Sequence, residues 1–382
     1  MKPAAERTLQ LFLAFVLFVN AAVAQPPTTS PTSPWELQNS TTKASLRGIH
    51  AAGGGVAWAS GTNGTILRTE DGGYMWQSCA MPPGAEKLDF RGIWAWDANT
   101  AVVMSSGFGD LSRLYKTTNG CSSWTLLYTN PDKDGFWDAM AFSDREHGFL
   151  FGDPVDGRYF VAFTSNGGAA WSRIDSGDLK PATANSGGFA ASNSSLALAG
   201  PILGPVNAPW FGTSGPGGAY VYSGGIDCGM GMAHEHPEEC LKHWEFDRTA
   251  VPLVGESVTE GVFAVGVRYG ETGVWGAVVV GGNYKKPNEE QQTAAFWHDG
   301  DKTWTAASIP PHGYRSALAW DEAEKAWIAA GINGSDVSYD DGKTWQSLDT
   351  GNWNALSLPW VVGPEGRIAK LVSLKSAGVA NK

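Results

Sequence analysis

Charge is scarce in this chain of 382 residues: only 17% of them are Asp, Glu, Lys or Arg, and the 27 basic residues are outnumbered by 38 acidic ones, for a formal net charge of −11. With no basic run anywhere, the chain lacks the footprint of a protein that tracks nucleic-acid phosphates or an anionic membrane surface. It also lacks a second apolar run of membrane-spanning length beyond the one at its start, so no span is expected after that segment. The glycine clusters at Gly53–Gly55 and Gly215–Gly218 do not sit between a strand and a helix, which argues against a phosphate-cradling loop or dinucleotide fingerprint. There are only four cysteines, an even number that favours disulfides in an exported chain.

Glycine and tryptophan are plentiful by contrast, at 49 and 18 residues. Lys2 and Arg7 precede an apolar run from Leu9 to Val19, and Ala22-Val23-Ala24 supplies the small residues a signal peptidase needs. Residues 1–24 are therefore expected to be a signal peptide, 25–34 a mobile Pro/Ser/Thr leader, 35–371 the folded domain and 372–382 a tail, with the mature protein secreted or periplasmic. Cys228 and Cys240 bracket one short loop and are the expected disulfide, with Cys79 and Cys121 a second possible pair.

An eight-residue pattern organises the whole chain. It is clearest at Ser338-Tyr-Asp-Asp-Gly-Lys-Thr-Trp345, and looser copies run from Thr69 to Trp76, Thr117 to Trp124, Thr164 to Trp171 and Trp297 to Trp304. Its third position holds Asp71, Asn119, Asn166, Asp299 and Asp340. A short Asp or Asn side chain accepts hydrogen bonds from nearby backbone N–H groups, Gly permits positive φ and Trp packs between sheets, so each copy predicts a turn joining two strands, with a structural role for its Asp or Asn. The pattern resembles the Asp box of sialidase-type (BNR) repeats.

An apolar strand and a second recurring element precede each box, giving four strands and about 45 residues per unit, a β-propeller period. Five boxes mark five blades. Asn185 to Asp247 makes a sixth whose box has been replaced by the Cys228–Cys240 insertion, and the seventh is split: three C-terminal strands pair with Trp35-Glu36-Leu37. The expectation is an all-β, seven-bladed propeller with four-stranded blades, closed by its N-terminal strand.

With the blades laid out, the chain from Trp35 to Leu371 resembles the exported propellers grouped with the photosystem II stability and assembly factors, and more distantly the Asp-box sialidases. The resemblance rests on Leu46-Arg47-Gly48-Ile49, Phe90-Arg91-Gly92-Ile93, Gly152-Asp153-Pro154-Val155-Asp156-Gly157-Arg158, Gly255-Glu256-Ser257, Gly281-Gly282-Asn283-Tyr284-Lys285-Lys286-Pro287, Tyr314-Arg315-Ser316 and Gly363-Pro364-Glu365-Gly366-Arg367. It implies a non-enzymatic binding or assembly scaffold. Side chains near the start of each innermost strand face one mouth of the channel, where Arg47, Arg91, Asp138, Glu256 and Arg315 are expected, and Asp153, Tyr284 and Lys285 complete the expected ligand-binding mouth. A ring of mutual ion pairs is the competing reading of these charges. In a sialidase, three arginines would hold the substrate carboxylate, with Tyr284 as nucleophile, Glu256 activating it and Asp138 as acid/base; this hydrolase is the alternative function.

Three His and two Cys within Cys228–His243 match no zinc spacing, and oxidised cysteines offer no thiolates, so neither metal nor cofactor is expected. The expected partner is a client protein or an anionic or carbohydrate ligand, bound by a monomer.

Overall fold

The computed structural model describes residues 33–374, apart from 182, 271 and 272. The expected signal peptide, almost all of the leader and the end of the tail lie outside these residues. Within them, seven antiparallel sheets of four strands each form the blades of a propeller. Six blades use consecutive strands, and the seventh joins Ala355–Ser357, Trp360–Val362 and Ile368–Leu371 to the N-terminal Trp35–Gln38. The register of that clasp pairs Trp35 with Leu371 and Gln38 with Ile368. Both ends of the ring are thus tied into one sheet, as expected, and no long strand edge is left open at the closure. Among the described residues no helix is long and apolar enough to cross a membrane.

The tryptophans pack where sheets face each other. Trp58, Trp137, Trp327 and Trp345 are completely or almost completely buried, each surrounded by Val, Ile, Leu, Phe or Ala from strands of the same or the neighbouring blade. The turns that begin four of the boxes repeat one hydrogen-bond pattern. Asp71 Oδ1 receives the Thr69 hydroxyl at 2.8 Å and the Met75 N–H at 3.0 Å, while Thr69 Oγ1 accepts the Gly73 N–H at 3.0 Å. Asn119, Asn166 and Asp340 make the same bonds with Thr117, Thr164 and Ser338. The opening hydroxyl is therefore as much a part of the turn as the acid or amide. Asp299 departs from the pattern: in its turn Asp301 Oδ2 accepts the His298 N–H at 3.0 Å.

Both expected disulfides are present, Cys79–Cys121 and Cys228–Cys240. The second closes the insertion of blade four, where two short helices, Met230–Glu235 and Pro237–Cys240, stand between the strands Ala219–Ile226 and Trp244–Val251. The first ties blade one to the turn of blade two. Cys121 sits at φ 60° where the corresponding residues Gly73, Gly168 and Gly342 also have positive φ, so a strained position is held by a covalent cross-link.

One histidine is expected to make the fold acid-sensitive. His50 lies at a blade interface with its ring centroid 4.2 Å from that of Trp94, and its Nδ1 accepts the Ala95 N–H at 3.3 Å. Burial pushes its pKa down to about 4. The unfolded chain therefore binds a proton at higher pH than the folded one, so the contribution of neutral His50 is full above about pH 6.5 and is lost as the pH falls towards 4, up to about 3 kcal/mol. His50→Gln should lose less stability than the wild type between pH 7 and pH 4 in denaturant titrations. Parallel pH profiles for the two proteins would contradict this.

Candidate functional site

The innermost strands open at one mouth of the channel, and their start is irregular in a regular way. In blades one, two, three and five the register slips by one residue, between Leu46 and Gly48, Phe90 and Gly92, Trp137 and Ala139, and Val262 and Ala264. A bulged residue turns its side chain away from the ladder. Here the bulged residues are Arg47, Arg91, Asp138 and Phe263, and all four line a single cavity of about 480 Å³, with Ser316 of blade six and Asn354 of blade seven completing the ring.

Blade four closes the bottom. Its segment 189–195 folds back into the channel instead of running straight into the inner strand Leu196–Leu203. The Asn193 side chain donates to Met140 O at 2.7 Å and accepts the Met140 N–H at 3.1 Å, and the Ser192 hydroxyl donates to Ser316 O at 2.6 Å. The short turn Asn193–Ser195 touches the inner strands of blades two, three, five, six and seven. Phe189, Ala190 and Ala191 thereby floor the cavity, with Phe189 stacked on Phe263 at a centroid distance of 3.4 Å. The site is a bowl with an aromatic base, not an open pore.

Its charges are only partly neutralised. Arg91 Nε donates to Asp89 Oδ2 at 2.8 Å, and Arg91 Nη1 donates to Ala190 O at 3.2 Å. Arg47 has no such partner: its Nε is buried without a hydrogen bond. Burial, and then the nearby Arg91, lowers the pKa of Arg47, which means its cation is held there at an energetic cost. A guanidinium stays charged regardless, so an arriving anion would relieve that cost.

Asp138 does not supply the missing anion. It is 2% exposed, its Oδ2 has no partner, and burial, reinforced by Asp153, pushes its pKa well above the usual carboxylate range against the pull of Arg91. Burial also raises Asp153, although the Gly188 N–H donates to its Oδ1 at 2.8 Å. Buried tyrosine Tyr314 is pushed up by burial as well and stays a neutral phenol. Two arginines thus face the bowl with one carboxylate, Asp89, paired to Arg91, while burial disfavours the charged forms of Asp138 and Asp153.

Five of the residues singled out in the sequence meet in this cavity: Arg47, Arg91, Asp138, Asp153 and Tyr284. Three do not line it. Glu256 lies on an exposed loop four residues before its strand and faces a separate depression with Glu260, Lys286 and Glu289. Lys285 is exposed beside the rim, its N–H bonded to Asn283 Oδ1 at 2.9 Å. Arg315 is completely buried inside blade six, where its Nε donates to Asp336 Oδ2 at 2.6 Å. The reason is register: Tyr314 O and Arg315 face Gly331 just as Phe136 O and Trp137 face Gly152, so the position equivalent to Asp138 is Ser316. The three arginines of a sialidase carboxylate site are thus not brought together.

The floor of the bowl escaped sequence reasoning. Phe189, Ala190, Ala191 and Asn193 precede the apolar strand of blade four without a box or a charge to mark them, and only the excess length between Ile174 and Leu196 hinted at an inserted segment.

No protein-family model matches the chain, and no curated protein does either. Solved structures do. The photosystem II assembly factor YCF48, in a structure described as bound to a D1 peptide, superposes with a TM-score of 0.58 at 16% identity, over 90% of this chain and 98% of the other. YCF48 from Cyanidioschyzon merolae gives 0.56 at 16% identity, over 89% and 99%. The extracellular domain of the hybrid two-component system BT4673 from B. thetaiotaomicron gives 0.55 at 12% identity, over 89% of this chain and 40% of that one. The likeness to photosystem II assembly factors expected from the sequence is found in the fold: this chain is a seven-bladed propeller similar to YCF48 along nearly its whole described length.

Proposed function

We propose that this protein is an exported, non-enzymatic scaffold whose bowl receives an anionic segment of a client protein. The observation that carries the reading is Arg47: a half-buried guanidinium whose Nε is buried without a hydrogen bond, at the wall of a cavity of about 480 Å³ whose base is aromatic. A cavity of this size and lining suits one carboxylate-bearing side chain or chain end with an apolar neighbour, oriented by a few polar groups. The structure of YCF48 with a peptide lends support, because the two chains share a fold, and the two disulfides accord with an extracytoplasmic compartment. The burial of Arg315 inside blade six weighs against the sialidase alternative, as does the position of Glu256 on an exposed loop outside the cavity that Tyr284 lines.

The test is capture of partners from an extract of exported proteins on immobilised protein. Arg47→Met and Arg91→Ala should each reduce recovery of the specific partner about tenfold or more while leaving the melting temperature within a few degrees, since neither residue holds the sheets together. Wild-type protein should release no product from a chromogenic sialoside. Robust turnover that disappears in Tyr284→Phe would replace the scaffold reading with the hydrolase, and equal capture by all three proteins would remove the bowl from the binding surface.

A further inference from the structure

On the face opposite the bowl, where the box turns lie, blades five and six enclose a second cavity of about 170 Å³. In two other seams the equivalent groove is filled by a cation from the third strand: Arg68 donates to Ala98 O between blades one and two, and Lys116 donates to Gly167 O at 2.9 Å between blades two and three. Blade five has Phe296 at that place, and the groove stays open. Its walls are Trp275, which is 51% exposed, and Trp297, and its floor is Gly276, where a side chain would run against Trp297 O and the His298 ring.

The polar groups at this cavity are placed in an unusual way. Arg268 stacks 4.2 Å from the Trp320 ring and donates to Asp341 Oδ1. Asp341 Oδ2 and His298 Nε2 are 3.9 Å apart, too far for a direct hydrogen bond but suited to a hydroxyl lodged between them. Asp341 also stands at φ 59°, at the box position where Gly72, Gly120, Gly167 and Gly300 stand in other boxes. Glycine would be the unstrained choice, so a carboxylate kept in the left-handed region is a local cost of the kind found at binding sites.

From these features we infer that the cavity is a binding site for a neutral pyranoside, one sugar ring of the glucose or galactose type. Arg268 excludes a cationic ligand, and its pairing with Asp341 leaves no net charge to attract an anion. The half-exposed Trp275 indole, with the Arg268 guanidinium 5.8 Å from its ring centroid, leaves apolar ring surface beside that cation for the C–H face of a sugar, and the Asp341–His298 gap takes one of its hydroxyls. The volume equals that of about five or six liquid waters, the space of a single ring.

Tryptophan fluorescence titration with methyl β-D-glucopyranoside, methyl β-D-galactopyranoside, cellotetraose and maltotetraose tests the assignment. At least one should saturate with a millimolar dissociation constant, weakened about tenfold or more in Trp275→Ala and unchanged in Arg47→Ala. Asp341→Gly separates ligand from fold: it should melt within a few degrees of the wild type, the relieved φ offsetting the lost, partly exposed pairing with Arg268, and should still lose binding about tenfold. No response to any of the four sugars overturns the inference, as does wild-type affinity in Trp275→Ala or Asp341→Gly. Neither result bears on client capture at the bowl, which lies on the opposite face.

Discussion

A chain that begins at Asn39 is expected to melt more than about 10 °C below the same protein beginning at residue 25. The lost strand, Trp35–Gln38, is the outer strand of the seventh blade, and its removal exposes the edge of Ile368–Leu371. Trp35 is 4% exposed, packs 6.2 Å from the Trp353 ring and donates its Nε1–H to Ser335 Oγ at 2.9 Å. Gln38 reaches the next blade, where its Oε1 accepts the Trp76 Nε1–H at 2.9 Å. Removing one buried tryptophan costs about 3–5 kcal/mol. Losing the ladder and both bridges with it takes the total above about 5 kcal/mol, and for a domain of this size each kcal/mol is worth about 2–4 °C or somewhat less. Calorimetry on the truncated chain, with Trp35→Ala as the milder variant and the exposed Glu36→Ala as a control, measures the difference. A truncated chain that melts within about 2 °C of the longer one would show that the clasp does not hold the ring.

The clasp was legible because its residues repeat. Trp35-Glu36-Leu37 resembles the strands after other boxes, such as Trp345-Gln346-Ser347, and a ring with six complete blades and two fragments has one economical closure. The blades were legible for the same reason: box, apolar strand and turn glycine recur at a period that only a propeller satisfies. Much of the bowl followed, since Arg47, Arg91 and Asp138 occupy equivalent places in three blades. What the repeat could not convey was the bulge. A slip of one residue in the ladder decides which side chain faces the channel, and that slip is a property of backbone pairing rather than of residue type. Blade six therefore presents Ser316 to the cavity and hides Arg315, although Tyr314-Arg315-Ser316 looks in sequence like Phe90-Arg91-Gly92. The plug at 189–195 was illegible for a different cause: it is local, unrepeated and uncharged, so neither periodicity nor composition marked it.

The two faces of the ring also carry different chemistry for a physical reason. At the bowl, bulges release side chains from the inner strands, and charge can gather around a common axis. At the opposite face the box turns take up the strand ends, and their Asp or Asn side chains are spent on backbone N–H groups of the same turn. Polar groups free to meet a ligand there must come from departures from the box, as Asp341 and His298 do.

Asp336→Ala should cost about 3–5 kcal/mol and lower the melting temperature by about 10 °C, because Arg315 would then be a buried cation without its carboxylate. Asp336 is itself completely buried: it accepts Arg315 Nε at 2.6 Å and Nη2, and its Oδ1 meets His312 Nδ1 at 2.7 Å. Arg315 Nη1 adds Asn333 Oδ1 at 2.5 Å and Tyr314 O at 2.8 Å, so the guanidinium ties together the loops that enter blade six. Arg315→Met should destabilise by a similar amount through the orphaned Asp336, whereas Arg315→Met combined with Asp336→Leu should be milder than the two single effects added, since no charge is left stranded. Chemical denaturation of the wild type, Arg315→Met, Asp336→Leu and the double variant gives the coupling directly. A ligand-binding Arg315 would behave in the opposite way: Arg315→Met would leave the unfolding free energy unchanged and abolish partner capture as Arg47→Met is expected to do. That outcome would return Arg315 to the mouth and require a different register for blade six.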